Sequence, residues 1–352
     1  MYEYPKNMNL LDDDLNLRLL HYLVAGEGIS VNIRGLSKEL KIHRATVKRK
    51  LEFLYNSKIL TKPFYPFPYL YEAYPLLILV KADMPRSKDV IDFLKDDSHI
   101  FAAFSCMEGR YNTFLIEFFK DLESYHNWRE DIVKEHKIPS RYNRSAGDAN
   151  IFSNKLTFKY DPNCLVFDLQ KSFEKNKKLN IKDIALDKNS FNILINVMNG
   201  KYIQRNDTFL SSELGINRKT VKKHIDSLMK NNVVNSPKCF FPNLFIPPTY
   251  NLVVSMIEVK SRMADIRKYV LRNNNVSRAQ EASTGRYNLL LFSAFKKIED
   301  FFDMGEEIFT KYPGMIGAIE NIILSSKMIH AIKPQKLSLA WIERRLWENR
   351  YK

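Results

Sequence analysis

The sequence predicts an α+β chain: two tandem copies of a winged helix-turn-helix domain followed by a βαββαβ ferredoxin-like domain. Two observations carry this. The first is an internal repeat. A shift of 174 residues lays "LSKELKIHRATVKRKLEFLYNSKIL" (Leu36–Leu60) on "LSSELGINRKTVKKHIDSLMKNNVV" (Leu210–Val234) without a gap, and ten of these 25 positions are identical. Unrelated segments of ordinary composition would share roughly one or two. The second is element order. In each copy three helical stripes of apolar residues precede strand-like runs that alternate with amphipathic helices.

The repeat extends both ways: Asp13 falls on Asp187, Leu20 on Leu194, Pro63 on Pro237 and Phe67 on Phe241. The tetrapeptide GRYN occurs at Gly109–Asn112 and again at Gly285–Asn288, a separation of 176 residues. The expected domains are a helix-turn-helix at 1–62, a ferredoxin-like domain at 63–160 and a Lys/Asn-rich linker at 161–183. A second helix-turn-helix at 184–236, a second ferredoxin-like domain at 237–332 and a basic amphipathic helix at 333–352 follow.

The first helix begins after an acidic cluster, which suits a helix N-terminus, and carries Leu15, Leu19, Leu20 and Leu23 on one stripe. Asn32 is placed to cap a second short helix with Ile33, Leu36 and Leu40 on one face. After the turn "KIH", a third helix buries Val47, Leu51 and Leu54. Copy two repeats the plan with Phe191, Leu194 and Met198, then Leu210 and Leu214, then "GIN", then Val221, Ile225 and Leu228. Three helices with a short turn before the third make a helix-turn-helix.

The candidate DNA-binding residues lie on the outer face of the third helix, at its start (His43, Asn217) and, for Arg34, on the second helix. In copy one these are Arg34, His43, Arg44, Thr46, Lys48 and Arg49; in copy two, Asn217, Arg218, Lys219, Thr220, Lys222 and Lys223. Long cationic side chains reach phosphates and guanine edges, and short polar ones such as Thr allow close approach. Arg34–Lys62 contains nine basic and two acidic residues; Arg205–Lys230 contains six and three. A lone helix of this kind would be read as a solvated face. Its recurrence on the third helix of both copies favours DNA. The Pro- and aromatic-rich stretches that follow, "KILTKPFYPFPYLY" and "NVVNSPKCFFPNLF", read as a wing or a connection.

The remainder of each copy reads strand, helix, strand, turn, strand, helix, strand, with GRYN as the turn between the second and third strands. Glycine supplies the positive φ of a tight turn, and Asn can cap it locally.

Composition narrows the function class. The net charge of +15 over 352 residues points to a polyanionic partner, nucleic acid before membrane. Cys106, Cys164 and Cys239 form no CxxC pair, and the seven histidines are dispersed, so neither a disulfide framework nor a metal site is expected. There is no Walker loop, no GxGxxG, no apolar span of membrane length and no signal-like N-terminus. The expectation is a cytoplasmic, nucleoid-associated protein that is not an enzyme and needs no cofactor.

A helix-turn-helix ahead of a βαββαβ domain with a Gly-led turn resembles the Lrp/AsnC (leucine-responsive, or feast/famine) regulators. Copy two is the more similar, with Pro313, Gly314 and Met315 at the place of the family's PGV. The resemblance implies sequence-specific transcription regulation, with a small effector near the Gly-led turns: Gly109, Arg110 and Asn112, and Gly285, Arg286 and Asn288. Both copies end the turn in Asn where the family has Asp. The family builds dimers from single-unit chains, so this chain reads as a covalent pseudo-dimer recognising an imperfect inverted repeat. Self-association through the sheets or the C-terminal helix, with its Leu339, Ile342 and Leu346 stripe, is a further expectation.

Two rival readings belong to other classes. One is an enzyme like the siroheme decarboxylases, which resemble the same family and need convergent His, Arg and Tyr. The other is a small-molecule sensor or scaffold that no longer binds DNA.

Overall fold

Seven-residue apolar runs bounded by turn residues become central strands, because strands buried on both faces need apolar side chains at consecutive positions. "LLILVKA" forms β1 (Leu76–Ala82) and "TFLIEFF" forms β3 (Thr113–Phe119), the latter buried throughout. The structure is a computed structural model. It describes residues 13–25, 32–56, 74–106, 111–136, 148–153, 156–160, 170–171, 173–181, 184–198, 207–231, 233–234, 250–282, 285–325, 329–332 and 336–350.

The chain divides into two compact units. One gathers residues 70–161 and 249–337, with the strand-rich parts of both copies. It contains β1, α4 (Lys88–Asp96), β2 (Ile100–Ser105), β3, α5 (Leu122–His136) and β4 (Asp148–Ser153). The same order recurs as β8 (Asn251–Val259), α9 (Met263–Arg272), β9 (Val276–Glu281), β10 (Leu289–Phe295), α10 (Ile298–Lys311) and β11 (Ile316–Ser325). The class is α+β, with antiparallel pairing in every described ladder.

Among the described residues each of this unit's two sheets has five strands, one of them from the other copy. β12 (Ile329–Ile332) pairs with β2, and β5 (Thr157–Tyr160) pairs with β9. The orders are β12-β2-β3-β1-β4 and β11-β8-β10-β9-β5. The sequence reads "NIFSNKLTFKY" as one last strand; the chain instead breaks it into β4 in one sheet and β5 in the other. The expected boundaries at 160 and 332 therefore follow the chain, while the sheets cross them. A free edge on β2 or β9 would leave backbone N–H and C=O groups unpaired, and the exchange satisfies them.

On the helix-covered face of the first sheet, Ile78, Val80, Leu115 and Phe119 pack against Val90, Leu94, Tyr125 and Ile132. In the second sheet, Val253, Ile257, Leu291 and Phe295 meet Ile266, Val270, Met304 and Ile308. The opposite faces are buried as well, through Leu77, Leu79, Phe114, Ile116 and Phe118 and through Leu252, Val254, Met256, Leu290 and Phe292. Each such side chain contributes about 1.5–3 kcal/mol. Lys81 pairs with Glu320, and Gln280 Nε2 donates to the Ser153 carbonyl (3.2 Å), linking the sheets.

The other unit gathers residues 3–69, 162–248 and 338–352. It holds α1 (Asp14–Ala25), α2 (Ile33–Leu40) and α3 (Arg44–Asn56) from copy one. From copy two come α6 (Lys188–Met198), α7 (Asp207–Leu214) and α8 (Arg218–Lys230). The stretch expected as a linker includes β6 (Leu179–Ile181), paired with β7 (Ile184–Leu186), and Phe173, which stacks on Phe191 at 4.1 Å. The C-terminal helix α11 (Lys336–Arg350) buries Ile342 and meets α1 through Glu343 and His21 (3.3 Å). The expected wing residues at 57–73 and 235–249 lie outside the described residues.

Candidate nucleic-acid interface

The turn between α2 and α3 is built residue by residue as its counterpart between α7 and α8. Asn32 Oδ1 accepts the Arg34 and Gly35 N–H groups (both 3.1 Å) and starts α2. Ser37 Oγ donates to the Ile42 carbonyl (2.6 Å), as Ser211 Oγ does to Ile216 (2.7 Å). Lys41 stands at φ 54° and its equivalent Gly215 at φ 63°, each turning the chain out of the helix in the left-handed region. His43 Nδ1 accepts the Ala45 N–H (3.2 Å) and Asn217 Oδ1 the Lys219 N–H (2.9 Å) at the start of the next helix. Cap and turn chemistry thus fixes the entry of α3 and α8.

A polar bond to the start of the first helix of its head then helps to dock each third helix. Lys50 pairs with Asp13 at 2.6 Å; burial raises the Asp13 carboxyl, but Lys50 and the Asn16 N–H bring it below its ordinary pKa. In copy two the ring of His224 meets Ser190 Oγ at 2.8 Å, and the Ser190 N–H holds Asp187 below its ordinary value. Val47, Leu51 and Leu54, and Val221 and Leu228, are buried beneath.

This leaves the opposite face open. Arg34, His43, Arg44, Lys48 and Arg49 are exposed and Thr46 is half-buried. Asn217, Arg218, Lys219, Lys222 and Lys223 are exposed and Thr220 is half-buried. Lys48 lies 3.8 Å from Glu52 one turn on, an exposed pair worth little. Arg218 Nε donates to Asp207 Oδ2 at 2.7 Å. Sequence reading misses Asp207, because no local rule links the first residue of one helix to the first residue of the next.

The Gly-led turns are occupied differently. Gly109 and Arg110 lie outside the described residues. Asn112 accepts the Met84 N–H (2.9 Å) and donates to its carbonyl (2.8 Å), so its amide extends the ladder beyond β1. Asn288 makes the same two bonds to Val259. Gly285 has φ 95°. Arg286 is exposed, 3.7 Å from Glu258, whose carboxyl the Ala318 N–H and Arg286 hold below its ordinary pKa.

No protein-family model matches the chain, and no curated protein matches it either. Among solved structures it is similar to the siroheme decarboxylase NirDL, at 10% identity over 95% of this chain and 99% of that one, with a TM-score of 0.39. The same enzyme in complex with an iron-uroporphyrin III analogue aligns at 12% identity over 90% and 93%, TM-score 0.39. A transcriptional regulator from Neisseria meningitidis in complex with L-Met covers 40% of this chain and 88% of its own at 16% identity, TM-score 0.21. The leucine response regulatory protein of Mycobacterium tuberculosis covers 40% and 91% at 12% identity, TM-score 0.21.

The expectation that the chain is not an enzyme is corrected: two structures that align with 95% and 90% of the chain are those of an enzyme. The physical reason is general: a fold does not carry function, and basic helices in one part of a chain do not exclude a catalytic site in another. Among the described residues no helix is long and apolar enough to cross a membrane.

Proposed function

We propose that the chain binds double-stranded DNA through two helix-turn-helix heads, α2–α3 and α7–α8, as a tandem regulator of the Lrp/AsnC type. The observation that carries this reading is the repeated open cationic face: Arg44, Thr46, Lys48 and Arg49 in one head, Arg218, Thr220, Lys222 and Lys223 in the other. Both faces sit on a helix whose start is capped and whose inner side is buried. That geometry suits insertion in a major groove with backbone contacts from the flanks. Two different heads on one chain suit an imperfect inverted repeat, and tethering raises the effective concentration of the second. An effector at the Gly285–Asn288 turn would meet exposed Arg286, because the Asn288 amide is engaged by Val259. The test is a gel shift on genomic fragments, with Arg44, Arg218 and the neighbouring lysines changed to Ala. Binding that falls steeply with salt and is lost in the variant supports the reading. Unchanged binding to every fragment ends it.

A second reading is enzymatic, on a tetrapyrrole of the siroheme type. It rests on Arg278 and Gln280, which are buried in β9 where copy one has Ala102 and Phe104. A buried guanidinium can meet a carboxylate of such a substrate. Titration with iron-uroporphyrin distinguishes the readings: a shifted absorption band that Arg278→Ala abolishes supports the enzyme, and a spectrum identical to the free porphyrin removes it.

A further inference from the structure

The two heads share a backbone but not an electrostatic state. Arg44 and Arg218 are each the first residue of the third helix. Arg218 is held by Asp207, the first residue of α7. The equivalent of Asp207 in copy one is Ile33, and Arg44 has no carboxylate partner among the described residues. Around them, Arg34, Lys38 and Lys41 of head one become Thr208, Ser212 and Gly215 in head two. Both changes lower the positive charge of head two, and Lys219, where head one has Ala45, restores one cation.

We infer that the heads are unequal: the first, led by Arg44, anchors the duplex, and Asp207 restrains the second by engaging Arg218. This rests on the DNA-binding reading above. The reasoning is one of competition. A phosphate or guanine edge that takes Arg218 must displace a charge-assisted bond and then sits beside a carboxylate. No such exchange is needed at Arg44. Removing Asp207 therefore frees a cation and deletes an anion at once. The second head then acts as a reader recruited when the site it meets offers enough contacts to break the internal pair.

The experiment measures binding of the full chain to a fluorescein-labelled duplex of random sequence by anisotropy, across a salt series. Arg44→Ala is expected to weaken binding about tenfold and to lower the salt slope by about one. Arg218→Ala alone is expected to weaken binding less than Arg44→Ala does, because the Asp207 pair already occupies that guanidinium. Asp207→Asn tightens binding roughly three- to tenfold, and in that background Arg218→Ala becomes costly, a coupling that a double-mutant cycle isolates. Thermal melts of each variant separate these effects from unfolding, and Asp207→Ala repeats the gain without a polar replacement. Equal losses from Arg44→Ala and Arg218→Ala, with Asp207→Asn neutral, overturn the inference while leaving DNA binding intact. A wild-type chain that binds no duplex at low salt removes the DNA-binding reading itself.

Discussion

Asn288 closes a ring with the backbone of Val259: its Nδ2 donates to the Val259 carbonyl at 2.8 Å, and its Oδ1 accepts the Val259 N–H at 2.7 Å. An amide side chain here imitates one more residue of strand. It explains why both copies end the turn in Asn, the smallest side chain that offers a donor and an acceptor on one planar group. Asn288→Ala is expected to cost about 1–3 kcal/mol by orphaning both backbone groups. Asn288→Asp recovers the acceptor only, so its melting temperature should fall between those of the alanine variant and the natural chain.

Lys159 belongs to copy one but caps a helix of copy two. Its Nζ donates to the carbonyls of Val270 (3.0 Å), Leu271 (3.3 Å) and Asn273 (2.5 Å), at the C-terminal end of α9. A cation there meets the negative end of the helix dipole and otherwise unpaired carbonyls. Lys159→Met should destabilise the protein by about 2 kcal/mol. Hydrogen exchange should report faster opening of α9, although the substitution lies 104 positions ahead of the start of that helix.

Glu117 is fully buried on β3, and neither carboxyl oxygen has a hydrogen-bond partner among the described residues. Burial, reinforced by the nearby Asp97 charge, pushes its pKa well above the ordinary value. The group is therefore neutral in the folded chain over a pH range where the unfolded chain ionises it. Its contribution is complete below the unfolded pKa and is lost as pH rises toward the folded one. Glu117→Gln should flatten the pH dependence of stability on the alkaline side of the unfolded value. Urea melts at a series of pH values measure it, and a variant with an unchanged slope contradicts the assignment.

The exchanged strands make the two copies hard to separate. A protease site placed between residues 161 and 169 should cut the chain without releasing the halves, because β5 stays paired with β9 and β12 with β2. Size exclusion after cleavage should show one peak containing both fragments. Separation in buffer without denaturant would show that these pairings do not hold the sheets together.

Much of the architecture is written locally. The helix stripes, the caps at Asn32 and Asn217, the turn before each third helix and the order of strands and helices each depend on residues within a few positions of one another. The open cationic faces follow from the same periodicity, since an apolar stripe on one side leaves the charges on the other. The turn at GRYN is legible as a Gly-led reversal; the partner of its Asn is not, because Val259 lies 29 residues away.

The sequence by itself therefore determined the repeat, the α+β class and the two basic third helices, because periodicity and capping act over one or two turns. The tertiary structure decided which edge each final strand joins, which carboxylate holds Arg218 and where Lys159 and Glu117 are buried. The strand exchange and the place of Lys159 depend on strand edges and helix ends from opposite copies meeting in space, whereas the Arg218–Asp207 pair and the burial of Glu117 depend on elements of a single copy packing together. Segments separated by more than a hundred residues leave no periodic trace of such meetings; the exchange becomes visible only once both sheets are assembled.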